Sequence, residues 1–124
     1  MQILLLEPDK ILADKYSDYL GLQSHRVDWQ TQAQSAIDSI DNQKPDLIIA
    51  EMQLAQHNGV EFLYELRSYP EWQKIPVIIL SSVVESEIDY ATIKKRLDIY
   101  AYLYKPHTKL SKLLETINEV IPSR

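Results

Sequence analysis

The sequence predicts an α/β fold with one five-stranded parallel sheet, doubly wound with helices on both faces, and three observations carry that prediction. Short, continuous apolar runs recur along the chain, among them "QILLL", "DLIIA" and "VIIL". Runs of this kind, without alternation, mark strands covered on both faces. Between them lie segments whose apolar residues recur at helical spacing. The joints are short, about 2–6 residues, as βα units prefer. Right-handed crossovers then place the helices on both sides of a parallel sheet.

Each element can be justified in turn. Gln2 to Leu6 is the first strand. After Pro8 and Asp9, the residues Ile11, Leu12, Ala13, Tyr16 and Leu20 share one helical face, with Gly21 as the expected C-cap. His25 to Trp29 is a shorter, more polar strand, which predicts a sheet edge. Thr31 is placed to cap a second helix carrying Ala33, Ala36, Ile37 and Ile40. Pro45 introduces the strand "DLIIA", and Val60, Phe62, Leu63 and Leu66 define a third helix. Asn58–Gly59 before it reads as a turn, and His57 beside them as a solvated side chain.

Pro76 introduces "VIIL", followed by a mostly polar fourth helix with Ile88, Ala91, Ile93 and Leu97 available for packing. Ile99 to Tyr104 is the fifth strand. Leu110, Leu113, Leu114, Ile117 and Ile121 give an amphipathic last helix. With no repeat, linker or low-complexity segment, residues 1–124 are expected to form one domain.

Composition excludes several classes of function. Hydrophobic residues make up 45% and charged residues 25%, the balance of a folded globular chain. The absence of cysteine excludes disulfides and thiolate metal sites, and His25, His57 and His107 are too scattered for a zinc site. A net charge of −5 argues against nucleic-acid binding, the only basic concentration being Lys94, Lys95 and Arg96. The apolar start is cut off by Glu7 and Pro8, too soon for a signal peptide, and no run approaches a membrane span. A cytoplasmic protein without membrane contact is expected.

In a doubly wound sheet, sites form beyond the C-terminal ends of the strands. The residues there are Glu7, Glu51, Ser81 and Lys105: two acids, a hydroxyl and a lysine. An isolated acid at a strand end is ordinarily a solvated side chain, and a serine after a strand often bonds only its local backbone. Two acids converging with a lysine in one frame point instead to a site, expected to open to solvent and to hold a part-exposed Glu51–Lys105 ion pair.

The segments "ILLLEPD", "PDLIIAEMQL…NGVEFL", "IPVIILSS" and "YLYKP" resemble the receiver domain of bacterial two-component response regulators, over essentially the full length. The resemblance implies the flavodoxin-like (βα)5 receiver fold. In that family a pair of acids after the first strand helps hold magnesium, and an aspartate ending the third strand accepts a phosphoryl group from a histidine kinase. A Ser/Thr and a lysine contact the phosphoryl oxygens, and an aromatic residue on the fifth strand changes rotamer. By register Glu7 and Pro8 take the acidic pair, Glu51 the phosphoacceptor, Ser81 the hydroxyl, Lys105 the lysine and Tyr102 the switch aromatic. The Lys105–Pro106 peptide would be cis.

Two departures fall on the essential chemistry. Glutamate at 51 adds a methylene and pushes the nucleophile into space meant for the phosphoryl group, and displacements of about 1 Å can cost about 10²-fold in rate. Its charge is instead placed to meet Lys105 and Ser81 directly. Proline at 8 removes a magnesium ligand, leaving Glu7 and Glu51, with Asp9 one position beyond. The pocket therefore reads as degenerate, with no catalytic residue and no cofactor, magnesium included. The expected function is a phosphorylation-independent signalling module, not an enzyme. The alternatives are a receiver still phosphorylated on Glu51 or Asp9 with magnesium, and a flavodoxin-like small-ligand binder, which the two glycines of the chain disfavour. Partners are expected to be proteins, a histidine kinase or an effector domain. A homodimer through the fourth helix, fifth strand and last helix is a further expectation. Tyr90, Lys94, Lys95, Arg96, Tyr100 and Tyr104 are the interface candidates for a partner or a second copy, the tyrosines of the fifth strand sharing one face.

Overall fold

A computed structural model of the chain describes residues 1–55 and 58–120. The expectations for His57 and Ile121 lie outside the described residues. Five strands, β1 (Gln2–Leu6), β2 (Arg26–Gln30), β3 (Leu47–Ala50), β4 (Val77–Ser81) and β5 (Ala101–Tyr104), form one parallel sheet in the order β2-β1-β3-β4-β5. The helices are α1 (Lys10–Leu22), α2 (Ala33–Asn42), α3 (Gly59–Ser68), α4 (Tyr90–Leu97) and α5 (Leu110–Val120). The polar strand β2 lies at an edge, as its composition predicts, and β5 forms the other edge.

The two-residue period of a strand sorts the apolar runs between two cores. Leu4, Leu6, Ile48, Ala50, Val77 and Ile79 pack against α2, α3 and α4 through residues such as Ile37, Phe62 and Ile93. Their neighbours Ile3, Leu5, Leu47, Ile49, Ile78 and Leu80 face α1 and α5, against Tyr16, Leu20, Leu113 and Ile117. Both faces being covered explains why the three inner strands show no alternation. Each fully buried Leu or Ile contributes about 1.5–3 kcal/mol of transfer free energy.

Several local expectations are corrected. Gly21 lies inside α1, which runs on to Leu22; the left-handed residue after it is Ser24, with φ 69°. Thr31 does not cap α2, whose N-cap position is Gln32. Asn58 is the N-cap of α3, its side chain accepting the Glu61 N–H at 2.8 Å. The fourth helix is split: a 3₁₀ turn at Glu85–Glu87 precedes the eight residues of α4. No peptide among the described residues is cis, so Lys105–Pro106 is trans, in a 3₁₀ turn spanning Lys105–His107.

Candidate functional site

Adjacent strand ends deliver the site. Glu7 follows β1, Glu51 follows β3, Ser81 ends β4 and Lys105 follows β5, and these four strands are neighbours in that order. The Lys105 Nζ lies 2.5 Å from Glu7 Oε1 and 2.7 Å from Glu51 Oε1. Ser81 Oγ donates to Glu51 Oε2, which also accepts the Gln53 N–H at 3.0 Å. The Ser82 N–H donates to Glu51 Oε1 at 2.9 Å, and the Asp9 N–H to Glu7 Oε2 at 3.0 Å. Every carboxylate oxygen of the pair thus has a donor.

The expected opening to solvent is absent. Glu7 and Glu51 are each 2% exposed, and the Lys105 side chain 11%. Charges this far from water persist only when fully paired, and one ammonium, one hydroxyl and three backbone N–H groups supply that pairing. Burial alone pushes the Glu51 carboxyl up, but the hydrogen bonds from Lys105, Ser81, Gln53 and Ser82 outweigh it. They hold the group below the ordinary glutamate value. For Lys105, burial pulls the ammonium down, and its bonds to Glu51 and Glu7 overcome this, leaving it above the ordinary lysine value.

The backbone around both acids is fixed from outside. Trp29 Nε1 donates to the Glu7 carbonyl at 2.7 Å, and the Glu7 N–H reaches Gln30 O at 3.0 Å. At β3, the Gly59 N–H donates to Met52 O at 2.7 Å. A Cβ on Gly59 would meet Met52 Cα at 2.6 Å and Glu51 O at 2.7 Å, so only glycine allows α3 to start this close.

The residues present do not fit the magnesium ion that the family resemblance implies. Pro8 is exposed and offers no ligand. The Asp9 carboxylate caps α1, accepting the Ile11 and Leu12 N–H groups at 2.9 and 3.1 Å. Glu7 and Glu51 are left, and both are bonded to Lys105. Among the described residues no group of three or more His, Cys, Asp or Glu is arranged to hold a metal.

A second chain of contacts leads away from the pocket. Ser81 Oγ accepts the Val83 N–H at 3.0 Å, and the Tyr102 hydroxyl donates to Val83 O. The Tyr102 ring meets Tyr90 of α4 edge-on, with centroids 4.9 Å apart. Tyr102 therefore lies between the pocket and α4. Tyr102 and Tyr104, two apart in β5, lie on one face of the strand, and Tyr100 immediately precedes β5 with its hydroxyl 3.4 Å from Glu119 of α5. Tyr104 packs edge-on against His107. Lys94, Lys95 and Arg96 are exposed at the end of α4.

Sequence reasoning missed Gln53, Ser82 and Trp29, because two act through backbone N–H groups, which carry no residue signature, and the third across a strand pair. It read Tyr16 as an ordinary apolar position. Burial raises the Tyr16 hydroxyl pKa, with the Lys105 charge opposing and those of Glu7, Glu51 and Asp9 adding. Helical spacing announces the ring, not its polar end.

Comparison with known proteins gives one consistent result. The Response regulator receiver domain family matches residues 3–118. A protein-glutamate methylesterase/protein-glutamine glutaminase of Treponema denticola is 30% identical over 86 residues, 69% of this chain and 23% of that protein. The KDP operon transcriptional regulatory protein KdpE of Escherichia coli is 40% identical over 63 residues, 51% of this chain and 26% of that protein. The chain thus spans about a quarter of the length of these curated relatives. Among solved structures, Vibrio cholerae chemotaxis protein CheY4 superposes with a TM-score of 0.86 at 19% identity, covering 96% of this chain and 97% of that one. A sensor protein from Polaromonas superposes with a TM-score of 0.88 at 18% identity, covering 98% and 96%. By fold, by the order of its strand-end residues and by sequence, this chain belongs to the response regulator receiver domain family.

Proposed function

We propose that this receiver domain signals through protein–protein contacts without being phosphorylated, Glu51 standing where the family's phosphoacceptor aspartate would stand. The observation that carries the reading is the state of the Glu51 carboxylate. Both its oxygens are bonded, one to Lys105 and the Ser82 N–H, the other to Ser81 and the Gln53 N–H. A nucleophile needs a free oxygen lone pair aimed at the incoming phosphorus, and here the groups that would receive phosphoryl oxygens already hold the carboxylate. Asp9 offers no substitute, its side chain being the cap of α1.

The same contacts support a fixed output. Glu51 holds Ser81, Ser81 holds Val83 and Val83 holds Tyr102 against Tyr90, so the side of the domain formed by α4 and β5 is tied to the pocket. A partner, an effector domain or a second copy, reads that side, with Lys94, Lys95 and Arg96 supplying positive charge. Intact mass measured after incubation with a small phosphodonor and magnesium tests the proposal. An unchanged mass is expected; an adduct of one phosphoryl group, abolished by Glu51→Gln, would refute it.

A further inference from the structure

The misfit between this pocket and magnesium has a definite geometric form. Between the two buried carboxylates, where a receiver would need its metal, sits an ammonium, with Glu7 Oε1 at 2.5 Å and Glu51 Oε1 at 2.7 Å. We infer that Lys105 is the resident cation of this pocket: its ammonium takes the position between Glu7 and Glu51 and closes the site to divalent ions, and removing it converts the pocket into a divalent-cation site.

Three observations carry this. The other two carboxylate oxygens are engaged elsewhere, Glu7 Oε2 with the Asp9 N–H and Glu51 Oε2 with Ser81 and Gln53, so the two Oε1 atoms are the ones an ion would need. Both of these meet the one Lys105 nitrogen, Glu51 Oε1 accepting the Ser82 N–H besides. The acids are 2% exposed, so an ion that dehydrates as reluctantly as magnesium would have to shed most of its waters to reach them. Charge gives the same answer: two carboxylates and one ammonium leave a net −1 in the pocket. A divalent ion added beside the ammonium would make it +1, with two cations in contact.

Truncating Lys105 would leave Glu7 Oε1 without its partner and Glu51 Oε1 with only the Ser82 N–H, both facing one small space in which waters would supply an ion's remaining ligands. The distances from that space to the oxygens resemble calcium–oxygen bonds of about 2.3–2.6 Å more than magnesium–oxygen bonds of about 2.0–2.1 Å. The vacated site is therefore expected to take Ca²⁺ in preference to Mg²⁺. The inference is independent of the phosphorylation reading, since metal binding is scored without any phosphodonor.

The experiment is a calorimetric titration with CaCl₂ and with MgCl₂ of the wild type, Lys105→Met and Lys105→Arg, with melting temperatures recorded alongside. Wild type and Lys105→Arg are expected to give no saturable heat and no shift in melting temperature. Lys105→Met is expected to give a one-to-one Ca²⁺ isotherm, a weaker Mg²⁺ response and a melting temperature that rises with added Ca²⁺. A saturable isotherm in the wild type, or a folded Lys105→Met that binds neither ion, would overturn it. Should Lys105→Met fail to fold, the ¹⁵N signal of the Lys105 ammonium in the wild type decides. An unchanged signal on adding Mg²⁺ sustains the inference, and its displacement refutes it.

Discussion

At the C-terminal edge of the sheet, two buried carboxylates with every oxygen bonded hold a half-buried ammonium between them, whereas on the flank formed by α4 three cations stand in solvent on an eight-residue helix. The difference is one of dielectric. In the pocket, each charge depends on its partners, because water cannot replace a lost one. On the flank, water can, so the charges are free to be spent on recognition at little cost to the fold. The pocket is where the charges hold the fold together, and α4 is where the proposed function places the contact with a partner. Tyr102, bonded to Val83 on one side and packed on Tyr90 on the other, joins the two.

Removing the ammonium breaks the comparison most severely. Lys105→Met leaves two buried carboxylates facing each other and is expected to cost about 3–5 kcal/mol in urea denaturation. A loss near that of a surface pair, under about 1 kcal/mol, would mean that the pocket is not the low-dielectric site described. Gly59→Ala comes next. Its Cβ would press on Met52 Cα and on the Glu51 carbonyl, backbone atoms that cannot yield locally, for an expected loss of about 1–3 kcal/mol.

Acid sharpens the same contrast. Glu51 has its pKa depressed in the fold, so it contributes stability that is present above the unfolded value near 4.5 and lost as the pH falls through the lower folded value. Stability measured from pH 6 downward should fall below about 4.5 in the wild type, and Glu51→Gln should lose that part of the slope. Tyr102→Phe removes one hydrogen bond to Val83 while keeping the ring on Tyr90, an expected cost of about 0.5–1.5 kcal/mol. Lys95→Ser on the exposed flank should change stability by no more than about 0.5 kcal/mol, and any larger effect it has belongs to partner binding, measured in a pull-down or by sedimentation.

The sheet was legible because continuous apolar runs, proline-led strand starts and a polar edge strand each have one physical cause, burial on both faces or on one. The strand-end set Glu7, Glu51, Ser81 and Lys105 followed from topology alone. What the sequence did not disclose was how tightly that set closes. The Gln53 and Ser82 N–H groups and the Trp29 indole reach the acids through backbone turns and across strands, and nothing in a side-chain pattern marks them. The two glycines show the same limit. Gly21 reads as a helix stop and is an ordinary helical residue with nothing within 4 Å of its missing Cβ, while Gly59 reads as a turn and is the point where α3 touches the Glu51 loop. Likewise, Asn58 carries a turn signature and a capping signature at once, and only the position of α3 decides between them.

That Glu51 is held in one bonded state is tested most directly at the two backbone N–H groups that hold it. The amide ¹H–¹⁵N signals of Gln53 and Ser82 can be followed as a small phosphodonor and magnesium are added to the wild type and to the Pro8→Asp, Glu51→Asp double variant. Both signals are expected to stay in place in the wild type and to move in the double variant, which carries a carboxylate at position 8 and a shorter one at position 51. Movement of either signal in the wild type, reversed as the phosphodonor is exhausted, would contradict a pocket closed by its own side chains.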